Sequence, residues 1–143
     1  MMANVLGLFV GGVLAALVVL VHYEALNLLD RLTHALGNHR TRLLLIMLGL
    51  LSAHVVEIWV FAFGYHAAVE WLHLGQLTPQ PEHLFDYAYY SAMVYTTVGF
   101  GDIVPTAELR MLTSAEAITG LALITWSASY TFLHMRKVWR LEG

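Results

Sequence analysis

The chain of 143 residues has no cysteine, which excludes disulfide frameworks, thiol nucleophiles and thiolate metal sites and leaves the redox compartment open. Charge is scarce: Asp, Glu, Lys and Arg make up 12% of the residues, and the net charge of -3 gives no footing for nucleic acid. No Pro/Gly/Ser-rich linker, charge block or low-complexity tract divides the chain, so one unit is expected. No apolar stretch carries arginine at every third position, which leaves no voltage sensor. No nucleophile stands beside a base in a catalytic arrangement, so an enzyme is not expected.

What is present is apolar. Hydrophobic residues reach 59% and the mean hydropathy is +0.67, far from a soluble globular domain and suited to a membrane. A bilayer core about 30 Å thick needs roughly 20 mostly apolar residues per helix. Three stretches qualify. The first runs from about Val5 to Val21 and ends at His22-Tyr23-Glu24; no Lys or Arg precedes it, which argues against a secretory signal peptide. The second follows Arg42, from Leu43 to about Tyr65 or Trp71, interrupted by His54 and Glu57; the third runs from about Met111 to His134. Between the last two, residues 84–96 are too short and too polar for a crossing and read as a helix that enters and leaves by one face. Pro81 and Glu82 suit a helix start near there.

Loops retained in the cytoplasm collect Lys and Arg. Arg31, Arg40 and Arg42 precede the second span, and Arg136, Lys137 and Arg140 follow the third, so both places are expected inside. The segment around Glu82, Asp86, Asp102 and Glu108 then faces out, with Arg110 as its only base, and the N-terminus is external. Wound as a helix, residues 24–36 gather Ala25, Leu28, Leu29, Leu32 and Leu36 on one side and Glu24, Asn27, Asp30, Arg31 and His34 on the other. That pattern suits a helix lying along the inner interface.

The run Thr97-Val98-Gly99-Phe100-Gly101-Asp102 carries the chemistry. A dehydrated cation in lipid needs oxygen ligands in place of its water, and a ring of backbone carbonyls supplies them without a full charge. Turning successive carbonyls to one axis requires alternate residues in conformations that glycine tolerates, and Gly99 and Gly101 alternate with Val98 and Phe100. Thr97 adds a hydroxyl at the inner mouth. A preceding helix that ends at Thr96 would aim its partially negative end at the membrane centre and favour cations. Tyr89, Tyr90 and Tyr95 with Phe100 are expected to form an aromatic layer holding the run at fixed diameter.

Thr96-Thr97-Val98-Gly99-Phe100-Gly101-Asp102, with Pro105 just after, resembles the signature of the potassium channel family, over about Leu84 to Met135 and more loosely the second span. The resemblance implies an all-α membrane protein of three transmembrane helices plus a re-entrant pore helix and filter, assembled as a homotetramer around bound potassium ions, with no organic cofactor. It divides the chain into an extra N-terminal span (1–24), a cytoplasmic interfacial connection (25–41) and a pore domain (42–143). Within the last, the outer helix takes 42–72, the pore helix 84–96, the filter 97–102 and the inner helix 110–136. It makes Thr97, Val98, Gly99, Phe100 and Gly101 the potassium ligands, Asp102 the acid behind the outer mouth, with Tyr89, Tyr90 and Thr96 supporting them. Gly120 matches the glycine at which the family's inner helix bends, with plain helix contact as the alternative. Leu121, Thr125, Ser129 and Phe132 are the expected cavity and inner constriction, Phe132 being the gate candidate. The family's carboxylate or hydroxyl behind the filter is replaced by Met93 and Val94, and Phe100 stands for the commoner tyrosine. The implied function is passive, potassium-selective conduction in the plasma membrane, with lipid as surroundings and no further protein partner. Gly143 follows the last span closely, so a cytosolic ligand domain is not expected.

Charged groups inside spans raise a functional question. At about 1.5 Å per residue, Glu57 lies roughly 22 Å above Arg42 and Glu116 roughly 9 Å below Arg110, so their depths agree. One polar network of His54, Glu57 and Glu116 behind the pore helix is expected, either bonding the tyrosine hydroxyls as plain structure or titrating with external pH. His66, Glu70 and His73 sit at helical spacing, as a solvated helix end or a zinc or copper site. Gly7, Gly11 and Ala15 form a small-residue stripe expected to dock on a second span, its own or a neighbour's. Two rival functions are a weakly selective cation channel, which the intact filter run opposes, and a haem-binding or metal-binding membrane protein drawing on the eight histidines, for which no paired axial histidines are evident across spans.

Overall fold

The computed structural model describes residues 2–34, 36, 38–106 and 108–139; Arg140, one of the bases expected inside, lies outside the described residues. Four helices account for most of the chain: α1 (Met2–His34), α2 (His39–Glu70), α3 (Leu84–Tyr95) and α4 (Leu109–Trp139). Two short strands, β1 (Leu77–Thr78) and β2 (Val104–Pro105), pair antiparallel, Leu77 opposite Pro105 and Thr78 opposite Val104. The fold is therefore helical apart from one small ladder, which closes the loop before α3 against the segment after the glycine run.

α1 and α2 are long and apolar enough to cross a membrane. Three such helices were expected. α4 matches them in length but carries hydroxyls along its course, Thr113, Ser114, Thr119, Thr125, Ser127 and Ser129 among them, and does not reach that apolarity. At about 1.5 Å per residue each long helix exceeds 45 Å, so all three extend past a hydrocarbon core about 30 Å thick.

Contacts fix the directions. Leu14 meets Gly64, His22 meets Glu57 and Leu29 meets Gly49, so α1 and α2 run antiparallel. Gly7 meets Glu108, Gly11 meets Leu112 and Ala115, and His22 meets Ser127, so α1 and α4 run parallel. The small-residue stripe therefore docks on the last long helix of its own chain rather than on the second span. A Cβ on Gly7 would stand 2.5 Å from the Glu108 carbonyl oxygen, and one on Gly11 2.8 Å from Ala115 Cβ. On the other side the notches belong to α2, where Gly64 and Gly49 receive Leu14 and Leu29 of α1. α1 is thus wedged between α2 and α4 by glycines facing both ways.

The separate interfacial helix expected over residues 24–36, within the connection 25–41, is instead, up to His34, the end of α1, which runs on without a break at Glu24. Its buried face there is His22, Leu26 and Thr33, while Leu28 and Leu32 are exposed. Packing on α2 and α4 holds it straight: Leu26 clusters with Ile46 and Leu50, and Asp30 lies 3.4 Å from Arg42 and 3.9 Å from His134. The main core lies at the opposite end, where Phe61, Tyr65, Leu109, Leu112 and Leu123 enclose Tyr87, Tyr90 and Tyr95 of α3.

Candidate functional site: the re-entrant helix and its glycine run

α3 starts where its own side chain caps it. Asp86 Oδ2 accepts from the backbone N–H groups of Glu82 and His83, each at 2.9 Å, and His83 is the extended residue before the first turn. Two donors that the helix could not pair are so satisfied, and an acid stands at the positive end of the dipole. At the other end, the N–H of Thr96 reaches the Ala92 carbonyl, that of Thr97 the Val94 carbonyl and that of Gly99 the Met93 carbonyl, at 3.1, 2.9 and 3.0 Å. The run beyond α3 thus begins folded back on the helix.

Alternate residues in it are left-handed: φ is +60° at Thr97, +54° at Gly99 and +78° at Gly101. This is the alternation that brings neighbouring carbonyls toward one side. The glycines announce it in sequence; Thr97 does not, and as the member with a Cβ at positive φ it is the strained one. Every residue from Thr96 to Asp102 is exposed, Val98 at 53% and Phe100 at 70%.

Within the single chain the tyrosines expected around the run are placed by their hydroxyls. Each tyrosine hydroxyl goes to a different polar partner. Tyr89 donates to Asp102 Oδ2 at 2.7 Å, supplying the neighbour that Met93 and Val94 do not. Tyr90 pairs with Thr113 of α4 at 2.8 Å, and Tyr95 donates to Glu57 of α2. Phe100 has no hydroxyl to pair and stays on the outside of the chain. For Tyr90 and Tyr95 the physical reason is that a buried phenol must be hydrogen-bonded, and their partners lie on α4 and α2. Past the run, Gln76 and Thr106 close the ladder, the N–H of each being 2.9 Å from its partner on the other residue.

The two buried carboxylates do not form one network. Glu116 Oε2 accepts from Tyr65 at 2.5 Å, and its Oε1 lies 2.5 Å from Ser91, while Tyr65 and Tyr90 both reach Thr113. Glu57 Oε1 lies 2.8 Å from His22 Nδ1 and its Oε2 3.0 Å from His54 Nδ1, with Tyr95 as a further donor. One cluster braces the middle of α3 through Ser91 and the other its last residue. Both carboxylates are fully buried, which is tolerable because each oxygen has a partner. His22, Tyr65, Ser91 and Ser127 were missed in the sequence: His22 reads as the end of an apolar run, and its partner Glu57 is 35 residues away.

Gly120 lies on an unbroken α4, and a Cβ there would collide with the backbone of Tyr95 at the end of α3. The position is a close helix contact in this structure. Leu121, Thr125, Ser129 and Phe132 are all exposed on α4, away from the chain's own core. Beside them, a cavity of about 660 Å³ opens between α2 and α4 below α3, with His54, Tyr95, Thr96, Ser127 and Phe132 in its wall. His66, Glu70 and His73 do not share a helix face: α2 ends at Glu70, and His73 is turned to φ +49° beyond it. Among the described residues, the group whose ligand atoms converge is His22, His54 and Glu57.

A family model described as ion channel matches residues 53–137, more than half of the chain, and spans α3, the glycine run and most of α2 and α4. The chain belongs to this ion channel family and is a transport-type membrane protein. No curated protein and no solved structure matches it.

Proposed function

We propose that four copies of this chain assemble a potassium-selective channel in the plasma membrane, with Thr97, Val98, Gly99, Phe100 and Gly101 of each copy as the potassium ligands. The observation that carries the reading is the left-handed backbone at Thr97, Gly99 and Gly101 in a segment wholly exposed on the single chain. Such backbone is tolerated at membrane depth only when it is buried in protein or lines a watery path, and neighbouring copies supply both. Replacing the hydration shell of a cation by carbonyl oxygens then needs no charged side chain in the pore. The C-terminal end of α3, pointed at the approach to Thr97, adds a negative partial charge that favours cations.

α4 is the third crossing and the inner helix of this assembly, and its hydroxyls and modest apolarity suit a wall that meets water. Leu121, Thr125, Ser129 and Phe132 line the inner pore, with Phe132 as its constriction, and Gly120 lets α4 pack against the end of α3. Arg31, Arg40, Arg42 and Arg136, gathered at one end of the long helices, support an orientation with those ends in the cytoplasm and the N-terminus outside. α1 is then an extra span that braces α2 and α4 from the lipid side, and lipid is the surrounding partner.

Purified protein in liposomes tests this. Potassium flux that is blocked by barium and lost when sodium replaces potassium is expected; equal sodium and potassium flux would indicate a weakly selective pore and overturn the selectivity. A mass of other than four chains per particle would overturn the assembly.

A further inference from the structure

Behind the last residue of α3, the three side chains His22, His54 and Glu57 bring one ligand atom each to within 4.8 Å of one another. His22 and Glu57 are fully buried, and His54, with a side chain 16% exposed, forms part of the wall of the 660 Å³ cavity. The two rings stack with centroids 5.4 Å apart, so both Nδ1 atoms face the same carboxylate and both Nε2 atoms face Ser127.

Proton counting shows what this arrangement lacks. A neutral imidazole has one N–H. With a carboxylate that only accepts, each ring places its hydrogen on Nδ1, which leaves both Nε2 atoms as acceptors. Ser127 Oγ lies 3.0 Å from His54 Nε2 and 3.4 Å from His22 Nε2 but has one hydrogen to give. One acceptor of the cluster is left without a donor: a ring nitrogen, or Glu57 Oε2 if the Tyr95 hydroxyl, 2.9 Å from His54 Nδ1, gives its hydrogen to that ring instead. A metal ion bound to both Nδ1 atoms and Glu57 reverses the tautomers: both Nε2 atoms then carry hydrogen, and the two lone pairs of Ser127 Oγ accept both. Histidine ligands ordinarily have their second nitrogen held in this way.

We propose that His22, His54 and Glu57 form a binding site for a zinc-class divalent cation, with Ser127 orienting both imidazoles and the fourth position open toward the cavity. Two imidazoles and one carboxylate, with no thiolate, suit zinc, cobalt or nickel over softer ions. Bonds of about 2.0 Å in tetrahedral geometry put ligand atoms roughly 3.3 Å apart, against atoms that already lie within 4.8 Å of one another, with each Nδ1 2.8 or 3.0 Å from a Glu57 oxygen. The ion would tie α1 to α2 directly behind Tyr95, whose hydroxyl shares Glu57. The site is independent of which ion the pore selects.

The full chain, purified in detergent and stripped with chelator, is titrated with cobalt and then zinc. One cobalt ion per chain is expected, with visible d–d absorption of tetrahedral intensity that zinc abolishes. Glu57→Gln and His54→Gln should remove the band, and Ser127→Ala should weaken binding by about 10–100-fold as an orienting partner does. His66→Gln combined with His73→Gln should leave it unchanged. Circular dichroism checks each variant's fold; if Glu57→Gln unfolds, the partly exposed His54 and the hydroxyl of Ser127 carry the test. The proposal is overturned by absence of saturable uptake, by uptake that His54→Gln and Ser127→Ala leave intact, or by uptake lost with His66 and His73. It is equally overturned if the metal-free cluster binds no ion and instead holds an extra proton on one ring, seen as a persistent imidazolium by NMR.

Discussion

Tyr89 donates its hydroxyl to Asp102 at 2.7 Å, so the outward face of α3 holds the end of the glycine run across thirteen residues of sequence. The same bond keeps the Asp102 carboxyl below its ordinary value near 3.8, because the ionised form is the better acceptor. A depressed native value means that the contribution is complete above the unfolded pKa, about 3.9, and is lost as pH falls through the lower native value. Tyr89→Phe should therefore move the acid limit of potassium flux to higher pH and lower potassium-over-sodium selectivity several-fold in bi-ionic measurements. Adding Asp102→Asn to it should cost little more, since one bond is lost in both.

Gly99→Ala and Gly101→Ala should abolish potassium flux while leaving helix content and expression unchanged. A Cβ at either position meets nothing within 4 Å in the chain, so the penalty is not a clash. It is the left-handed backbone, roughly 1–2 kcal/mol per residue, which a tetramer would incur in every copy. Flux assays with circular dichroism on the same samples check this.

Gly120→Ala should lower thermal stability by about 1–3 kcal/mol, the range for overpacking a tight contact, because the new methyl meets the Tyr95 backbone. Gly12→Ala, where a Cβ meets nothing within 4 Å, should be neutral or stabilising. Unfolding in detergent distinguishes them. A Gly120→Ala variant of native stability with altered opening would make Gly120 a hinge rather than a contact.

Glu116→Ala leaves Tyr65 only its longer 3.3 Å bond to Thr113 and Ser91 only the Ile58 carbonyl, and should cost about 1–3 kcal/mol. Glu116→Gln keeps an acceptor and should cost less. The order Ala below Gln below native in melting temperature is the expected result; equal melting points would show that the cluster contributes nothing.

Much of the architecture was legible in the sequence because bilayer-length apolar runs and the charges that bound them are local signals. α2, α3 and α4 lie where hydropathy and composition put them, and the glycine spacing at 99 and 101 announced the unusual backbone. Thr97 was not legible as left-handed, because threonine carries no conformational signal of that kind. The end of α1 misled for a related reason: the separation of polar and apolar residues over 24–36 describes a two-faced helix equally well whether one face meets lipid headgroups or α2 and α4.

Sequence alone determined where the chain is apolar, where its backbone can turn left-handed and where its bases lie along the chain, since each is a property of neighbouring residues. Tertiary structure decided the pairings. Depth along two helices made Glu57 and Glu116 look like partners, yet the rotation of each helix about its axis, set by glycine notches and leucines between α1, α2 and α4, sent one to Ser91 and the other to Tyr95 of α3. That same rotation brought His22 to Glu57, a meeting that no spacing rule along one chain encodes.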